Sequence, residues 1–235
     1  MPKGTRVARK PAPLSAQKAG PDLAGVLAKK DAFLREILHQ IKNHLQVVAS
    51  LIGLQAEGVT DKRLLRLLKD AQNRVRAISL VYEKLYQAGA ATRIDFADYV
   101  QALVIHLAHI METDLNRVRI RLDLRRSPLD IRTAVPCGLI ANELVANALQ
   151  HAFPGARKGT LLVSLRPLAT RKFRLVVADD GIGCPVRVDP RTARTLGLQI
   201  VSMLTTQVEG SLLLKRGKGT RFEVVFRQLE YNSRI

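Results

Sequence analysis

Cysteine occurs only twice in the chain, at Cys137 and Cys184, and the two share no spacing that would frame a metal site or a disulfide network. That scarcity fits a reducing compartment, and the expected location is cytoplasmic. No uninterrupted apolar run approaches the roughly 20 residues that a bilayer-spanning helix needs. The N-terminal stretch MPKGTRVARKPAPLSAQKAG carries charge with no apolar segment behind it, so it does not read as a secretory leader. Pro11 and Pro13 would spoil the amphipathic helix of an organelle presequence. Acidic residues are outnumbered, which leaves a formal charge of +18 and an attraction to anionic partners. The basic residues are spread along the whole chain, however, without an aromatic-interleaved patch or a nucleic-acid motif. Nucleic acid is therefore not expected as the main partner, and a basic, solvated surface is the simpler reading.

Apolar residues make up 47% of the 235, ample for the cores of one or two domains. Residues 1–20, rich in Pro, Ala, Lys and Arg, are expected to form a disordered basic tail. A helix is predicted from Pro21 or Asp22 to Glu57, with Leu34, Ile37, Ile41, Leu45, Val48 and Ile52 on one buried face. Gly58 ends it, and Thr60 or Asp61 caps a second helix, Asp61 to Gln87. In that helix Leu64, Leu68, Ala71, Val75, Ile78, Tyr82 and Leu85 step by four and three, as in a coiled-coil seam. The short connection makes the two helices antiparallel. Such a hairpin has too little core of its own. It must either pair with a second hairpin in a four-helix bundle or pack on the domain that follows.

Gly89 to Arg93 reads as a linker, after which the pattern becomes mixed. Helices are predicted at Asp95–Met111, Val135–Phe153 and Leu196–Gln207, and strands at Val118–Leu124, Leu161–Leu165 and Phe173–Ala178. Ser211–Lys215 and Arg221–Phe226 should form a hairpin around RGKGT. Helices on one face of a mixed sheet make a two-layer α/β sandwich, so the whole chain reads as α+β, with a hairpin unit at 21–88 and a second domain at 94–230.

On the first helix His39 lies on a polar stripe with Glu36, Asn43 and Gln46, while Ile37, Leu38 and Ile41 turn to the buried side. His39 is expected to project into solvent, where a neutral imidazole nitrogen would be available as a nucleophile. His44 falls toward the seam, beside Ile41 and Leu45. By itself an exposed helical histidine is an ordinary surface residue.

About a hundred residues later, Asn142-Glu143-Leu144-Val145-Ala146-Asn147 sets Glu143 and Asn147 four apart on one helix face, with His151 one turn further on. A carboxylate and an amide oxygen so spaced can orient hydrated Mg²⁺ and a triphosphate, since Mg²⁺ takes hard oxygen ligands and keeps several waters. Asp179-Asp180-Gly181-Ile182-Gly183 follows a strand, where an acid can accept from an adenine amino group and glycines allow close backbone approach. Thr195-Leu196-Gly197-Leu198 opens a helix whose first amides can hold phosphate. Gly217-Lys218-Gly219-Thr220 turns the last hairpin. Each signal is weak alone.

Their order resembles the GHKL ATPase (Bergerat) pattern, and the string EILHQIKNHLQ resembles the phosphoacceptor motif of two-component sensor histidine kinases of the HWE-related branch. Glu36, His39, Lys42, Asn43, Leu45 and Gln46 match that motif; position 40 is Gln where the branch usually has Arg. VYEKLYQ and IDFADYV look like the same branch, so the resemblance runs over about Lys30 to Phe226. It implies that His39 accepts a phosphoryl group from ATP, and that the hairpin dimerises as a four-helix bundle in preference to resting on its own chain. By the same resemblance Glu143 and Asn147 serve Mg-ATP, and Asp179 takes the adenine with Gly181 and Gly183 turning beside it. Asn142, His151, Leu196, Gly197, Leu198, Gly219 and Thr220 complete the ATP contacts. Glu36, Glu143 and solvent all stand as candidates for the proton acceptor. Only about nine residues between Pro185 and Thr195 are available for a lid; Arg187, Arg191 and Arg194 could meet the γ-phosphate or simply form a basic loop. The implied partners are a response-regulator receiver domain and a second copy of the chain. No sensory domain is visible in the first thirty residues, so the input is expected from a separate sensor protein, from the tail, or from a longer protein of which this is a piece. A histidine phosphotransfer adaptor and a GHKL serine kinase of anti-sigma type are the competing readings.

Overall fold

The computed structural model describes residues 23–88, 93–185, 189 and 195–229. The expected tail at 1–20, linker residues 89–92, and Arg187, Arg191 and Arg194 lie outside these residues. The chain opens with a helical hairpin, α1 (Leu23–Glu57) and α2 (Lys62–Gln87). Asp61 caps α2 as its sequence position suggested, its Oδ1 accepting from the Arg63 and Leu64 amides at 2.7 and 3.2 Å. Across the hairpin, Gln72 Nε2 donates to the Ala49 carbonyl at 2.8 Å. Gly53 permits that crossing, because a Cβ there would stand 2.6 Å from the same Nε2.

A short ribbon follows that periodicity could not reveal: β1 (Arg93–Asp95) pairs antiparallel with β3 (Pro128–Asp130). Three-residue strands carry too few positions to show alternation, but Ile94 and Leu129 are buried and anchor the ribbon. Each strand also ends in a helix cap. Asp95 Oδ1 accepts from the Ala97 amide ahead of α3 (Phe96–Ile110), and Asp130 Oδ1 from the Thr133 amide ahead of α4 (Ile131–His151). The Asp130 cap starts α4 four residues before the predicted Val135, with Pro136 inside the helix.

The main sheet holds β2 (Val118–Leu124), β4 (Gly159–Ala169), β5 (Lys172–Asp179), β6 (Ser211–Gly217) and β7 (Gly219–Arg227) in the order β2-β4-β5-β7-β6. The β2–β4 pair is parallel and the others antiparallel, so the sheet is mixed, as expected. Leu161, Val163 and Leu165 on β4 and Phe173, Leu175 and Val177 on β5 are buried at alternate positions. They meet Ile140 and Leu144 of α4 and Val201 of α5 (Leu196–Gln207) in one core. The second domain is therefore the expected two-layer arrangement of helices on one sheet face.

The hairpin differs from its predicted seam. Of the seven seam positions on α2 only Leu85 is buried, and Leu64 is exposed. The buried row on α2 is instead Ala77, Val81 and Leu85, which joins the core of the second domain. Tyr99 of α3 fastens this contact by donating to the Ala77 carbonyl at 3.2 Å. On α1, Leu34 and Val48 of the predicted buried face are exposed. A single chain supplies only one partner helix, which cannot cover the whole seam, while the second domain covers a different face of α2.

Candidate functional site

His39 lies on α1 with its imidazole half-buried, which corrects the expectation of a ring projecting freely into solvent. The cause is Tyr86 near the end of α2, whose ring packs on it with centroids 5.4 Å apart. Nδ1 of His39 is sealed from solvent and has no hydrogen-bond partner. Glu36, one turn earlier and exposed, accepts from Gln40 Nε2 at 3.0 Å, so the glutamine at position 40 orients that carboxylate. Asn43 is exposed beside it. His44 is also exposed and not at the seam; Ile41 and Leu45 occupy the interhelical side and leave His44 outside it.

The second cluster is built around α4. Asn142 and Glu143 are buried, and Asn142 Nδ2 donates to Glu143 Oε1 at 3.1 Å. The Asn142 Oδ1 atom is buried without a hydrogen-bond partner. Asn147 is half-buried one turn on, and His151 is exposed near the helix end. Gly197 of α5 packs straight onto this pair: a Cβ there would fall 2.6 Å from Glu143 Oε2 and 3.9 Å from Asn147 Nδ2. The start of α5 thus rests on the two polar residues of α4. Thr195 at its N-cap gives no side-chain hydrogen bond to the first turn, whose amides are the groups an anion would seek. Leu198 points into the core and Leu196 is exposed.

Asp179 closes the other end. Its Oδ1 accepts from the Gly181 amide at 3.0 Å and the Thr220 amide at 3.2 Å, tying the end of β5 to the start of β7. Burial pushes the Asp179 carboxyl above the usual carboxylate range, against the pull of those hydrogen bonds. Gly219 has φ +113°, and a Cβ there would stand 1.9 Å from the Asp179 carbonyl oxygen, so no other residue fits. Gly183, at φ +81°, lies against the Gly217–Gly219 turn. Gly181 sits on the end of α4, where a Cβ would meet the Ala152 carbonyl at 2.2 Å. Ala152 is five residues, about 7.5 Å of helix, beyond Asn147. The sequence-distant boxes therefore converge around the last two turns of α4. Asp180 has a structural task instead, with its Oδ1 accepting from the Thr160 amide at 2.6 Å.

Two arginines that the sequence reading passed over complete the picture. Arg157 donates to the carbonyls of Asp180 and Gly181, both at 3.1 Å, and steadies the glycine turn. Arg74 of α2 grips Glu143 through a fork, Nε to Oε1 at 2.9 Å and Nη2 to Oε2 at 3.0 Å. An arginine on a mostly polar helix gives no sequence signal of such a partner. The fork also bears on divalent metal. Among the described residues no group of three His, Cys, Asp or Glu side chains could hold an ion by itself. The hard oxygen donors at this site are the Asn147 amide and the Glu143 carboxylate. The first fits Mg²⁺; the second fits only when the guanidinium has left.

A family profile described as histidine kinase matches residues 36–111, and one described as histidine kinase-, DNA gyrase B-, and HSP90-like ATPase matches residues 134–230. Sensor histidine kinase PdtaS of Mycobacterium tuberculosis (strain ATCC 25618 / H37Rv) is 31% identical over 203 residues, covering 86% of this chain and 40% of the relative. Blue-light-activated histidine kinase 2 of Erythrobacter litoralis (strain HTCC2594) is 31% identical over 208 residues, covering 86% of this chain and 57% of the relative. The chain thus spans about half the length of these relatives. The solved histidine kinase domain of the Erythrobacter litoralis EL346 blue-light activated histidine kinase superposes with a TM-score of 0.66 at 28% identity, covering 88% of this chain and 95% of that one. No helix among the described residues is long and apolar enough to cross a membrane.

Proposed function

The chain belongs to the histidine kinases, with a GHKL-type ATP-binding domain behind its helical hairpin, and on that premise we propose that it transfers the γ-phosphoryl group of ATP to His39. The observation that carries this reading is the convergence of Asn147, Gly197, Asp179 and Gly219–Thr220 around one end of α4. In the proposed site Asp179 accepts from the adenine amino group and Gly181 and Gly183 let the base approach the backbone. Asn142, Gly197, Thr220 and the backbone of Leu198 line the nucleotide, with Leu196 and His151 at its rim. The uncapped first turn of α5 offers amides to the phosphates. Asn147 would hold Mg²⁺ through its amide oxygen, joined by Glu143 after it is released; the ion when bound neutralises the triphosphate.

In the transfer, Nε2 of His39 attacks phosphorus in line, the bond to the β,γ-bridging oxygen breaks, and ADP leaves with that electron pair. Nδ1 is sealed, which supports Nε2 as the nitrogen that receives the group. Of the two candidate carboxylates, Glu36 stands one turn from the ring and is the better placed to take the proton from Nε2 as the bond to phosphorus forms; Glu143 is engaged by Arg74. The phosphoryl group would then pass to an aspartate of a response-regulator receiver domain docking beside Glu36, His39 and Asn43. A second copy of the chain would cover the apolar side chains left exposed on the hairpin, among them Val47, Leu51 and Leu54. Incubation with γ-labelled ATP and Mg²⁺ tests the reaction: a phosphohistidine is labile to acid and stable to base, and an acid-stable label would favour a hydroxyl acceptor instead.

A further inference from the structure

The fork between Arg74 and Glu143 is the most fully built polar contact between the hairpin and the second domain. Both nitrogens of the guanidinium edge meet both carboxylate oxygens, and the two side chains retain only 16% and 8% of their exposure. Asn142 adds a third donor to Oε1, and the Gly197 backbone crowds Oε2. Asp70, one turn earlier on α2, lies in the fields of both Arg74 and Glu143. Around this contact Ala77 and Val81 of α2 are packed into the core of the second domain.

The place of the contact along α2 matters as much as its strength. His39 is marked on α2 by Tyr86, and Arg74 lies twelve residues before Tyr86, about 18 Å along the helix. The acid assigned to Mg-ATP is therefore bound to the hairpin well away from the acceptor. Its charge is also already neutralised by a guanidinium.

We propose that the Arg74–Glu143 fork is an autoinhibitory latch, which holds the ATP-binding domain away from His39 and opens when a magnesium–nucleotide complex competes for the Glu143 carboxylate. The inference rests on the reading of Glu143 and Asn147 as nucleotide residues. Removing one member of a buried ion pair strands the other, so spontaneous opening is disfavoured. Mg²⁺ bound with the triphosphate supplies a replacement cation for Glu143, and the freed guanidinium reaches solvent. Substrate would thus supply the charge that releases its own domain. By linkage, whatever opens the latch must tighten nucleotide binding, and nucleotide must favour opening by the same factor.

The test uses the full chain, titrated with a non-hydrolysable ATP analogue and Mg²⁺ and measured by small-angle X-ray scattering with and without them. Arg74→Gln should bind the analogue about tenfold more tightly than wild type. Its scattering without nucleotide should already resemble that of wild type with nucleotide. Arg74→Lys, which keeps one charge but not the fork, should fall between and serves if Arg74→Gln does not fold. Unchanged or weaker binding, with scattering like wild type, would overturn the latch and make Arg74 a structural or nucleotide-contacting residue. Absence of phosphohistidine in every variant would refute the phosphotransfer reading alone, since affinity and shape judge the latch independently. If no variant bound the analogue, the nucleotide reading would fail and scattering alone would decide whether Arg74 closes the domains.

Discussion

The imidazole of His39 and the phenol ring of Tyr86 pack at a centroid separation of 5.4 Å with their planes inclined by 44°. This contact joins α1 to the far end of α2 and fixes which edge of the imidazole is open. Tyr86→Ala should slow labelling of His39 by about 2- to 10-fold, the size of an aromatic pair contact, and leave ATP affinity unchanged. Tyr86→Phe, which retains the ring, should match wild type. Initial rates of label incorporation at saturating ATP distinguish the two.

Gly219 is the position where the proposed nucleotide turn tolerates least. A side chain there would collide with the Asp179 carbonyl at 1.9 Å and force an L-residue to φ +113°. Gly219→Ala should cost about 1–3 kcal/mol in backbone strain alone. Calorimetric unfolding should show a lower Tm, and equilibrium titration should show nucleotide affinity lost along with the turn.

Asp179 should trade stability for binding. Burial raises its carboxyl above the ordinary value of 3.8, so the folded state takes up this proton before the unfolded chain does. The ionised form therefore costs stability at neutral pH. That cost is complete above the folded pKa, shrinks as pH falls from there toward 3.8, and is gone below 3.8. Asp179→Asn keeps an oxygen for the Gly181 and Thr220 amides, so it should raise Tm at pH 7 while abolishing ATP binding. The Tm gain should shrink toward acid pH, and a lower Tm for Asp179→Asn at pH 7 would contradict the sign.

The hairpin exposes apolar side chains that a second copy would cover: Val47, Leu51 and Leu54 are 57%, 55% and 62% exposed in the single chain. Leu51→Lys with Leu54→Lys should weaken self-association roughly 100-fold or more, since each burial is lost twice in a symmetric dimer. Sedimentation of wild type and variant over a range of concentrations gives the two constants. A wild type that stays monomeric throughout would remove the dimer from the proposal.

The sequence disclosed what is encoded locally. The periods of three and four located both hairpin helices, the alternation in VRIRLDL located its strand with the observed bounds, and of the two caps offered, Thr60 and Asp61, the second is the one used. The boxes on α4, β5, α5 and the last hairpin were legible because glycines and polar residues interrupt otherwise apolar elements. What depended on distant partners was not legible. The short β1–β3 ribbon is created by the pairing of its two strands, and the buried face of α2 is chosen by Tyr99 and the domain core. His39 is half-covered because Tyr86, 47 positions later, returns beside it. Arg74 acquires its meaning from Glu143, 69 positions away.

The central claim is that one particular nitrogen-bearing side chain receives the phosphoryl group, and two histidines on α1 compete for that assignment. Labelling with γ-labelled ATP and Mg²⁺ should be compared in wild type, His39→Gln, His44→Gln and Asn147→Ala, with the modified residue located by tandem mass spectrometry of base-stabilised peptides. The account predicts base-stable, acid-labile label on His39 in wild type and in His44→Gln, and none in His39→Gln or Asn147→Ala. Label that survives His39→Gln, or that disappears only in His44→Gln, would contradict it.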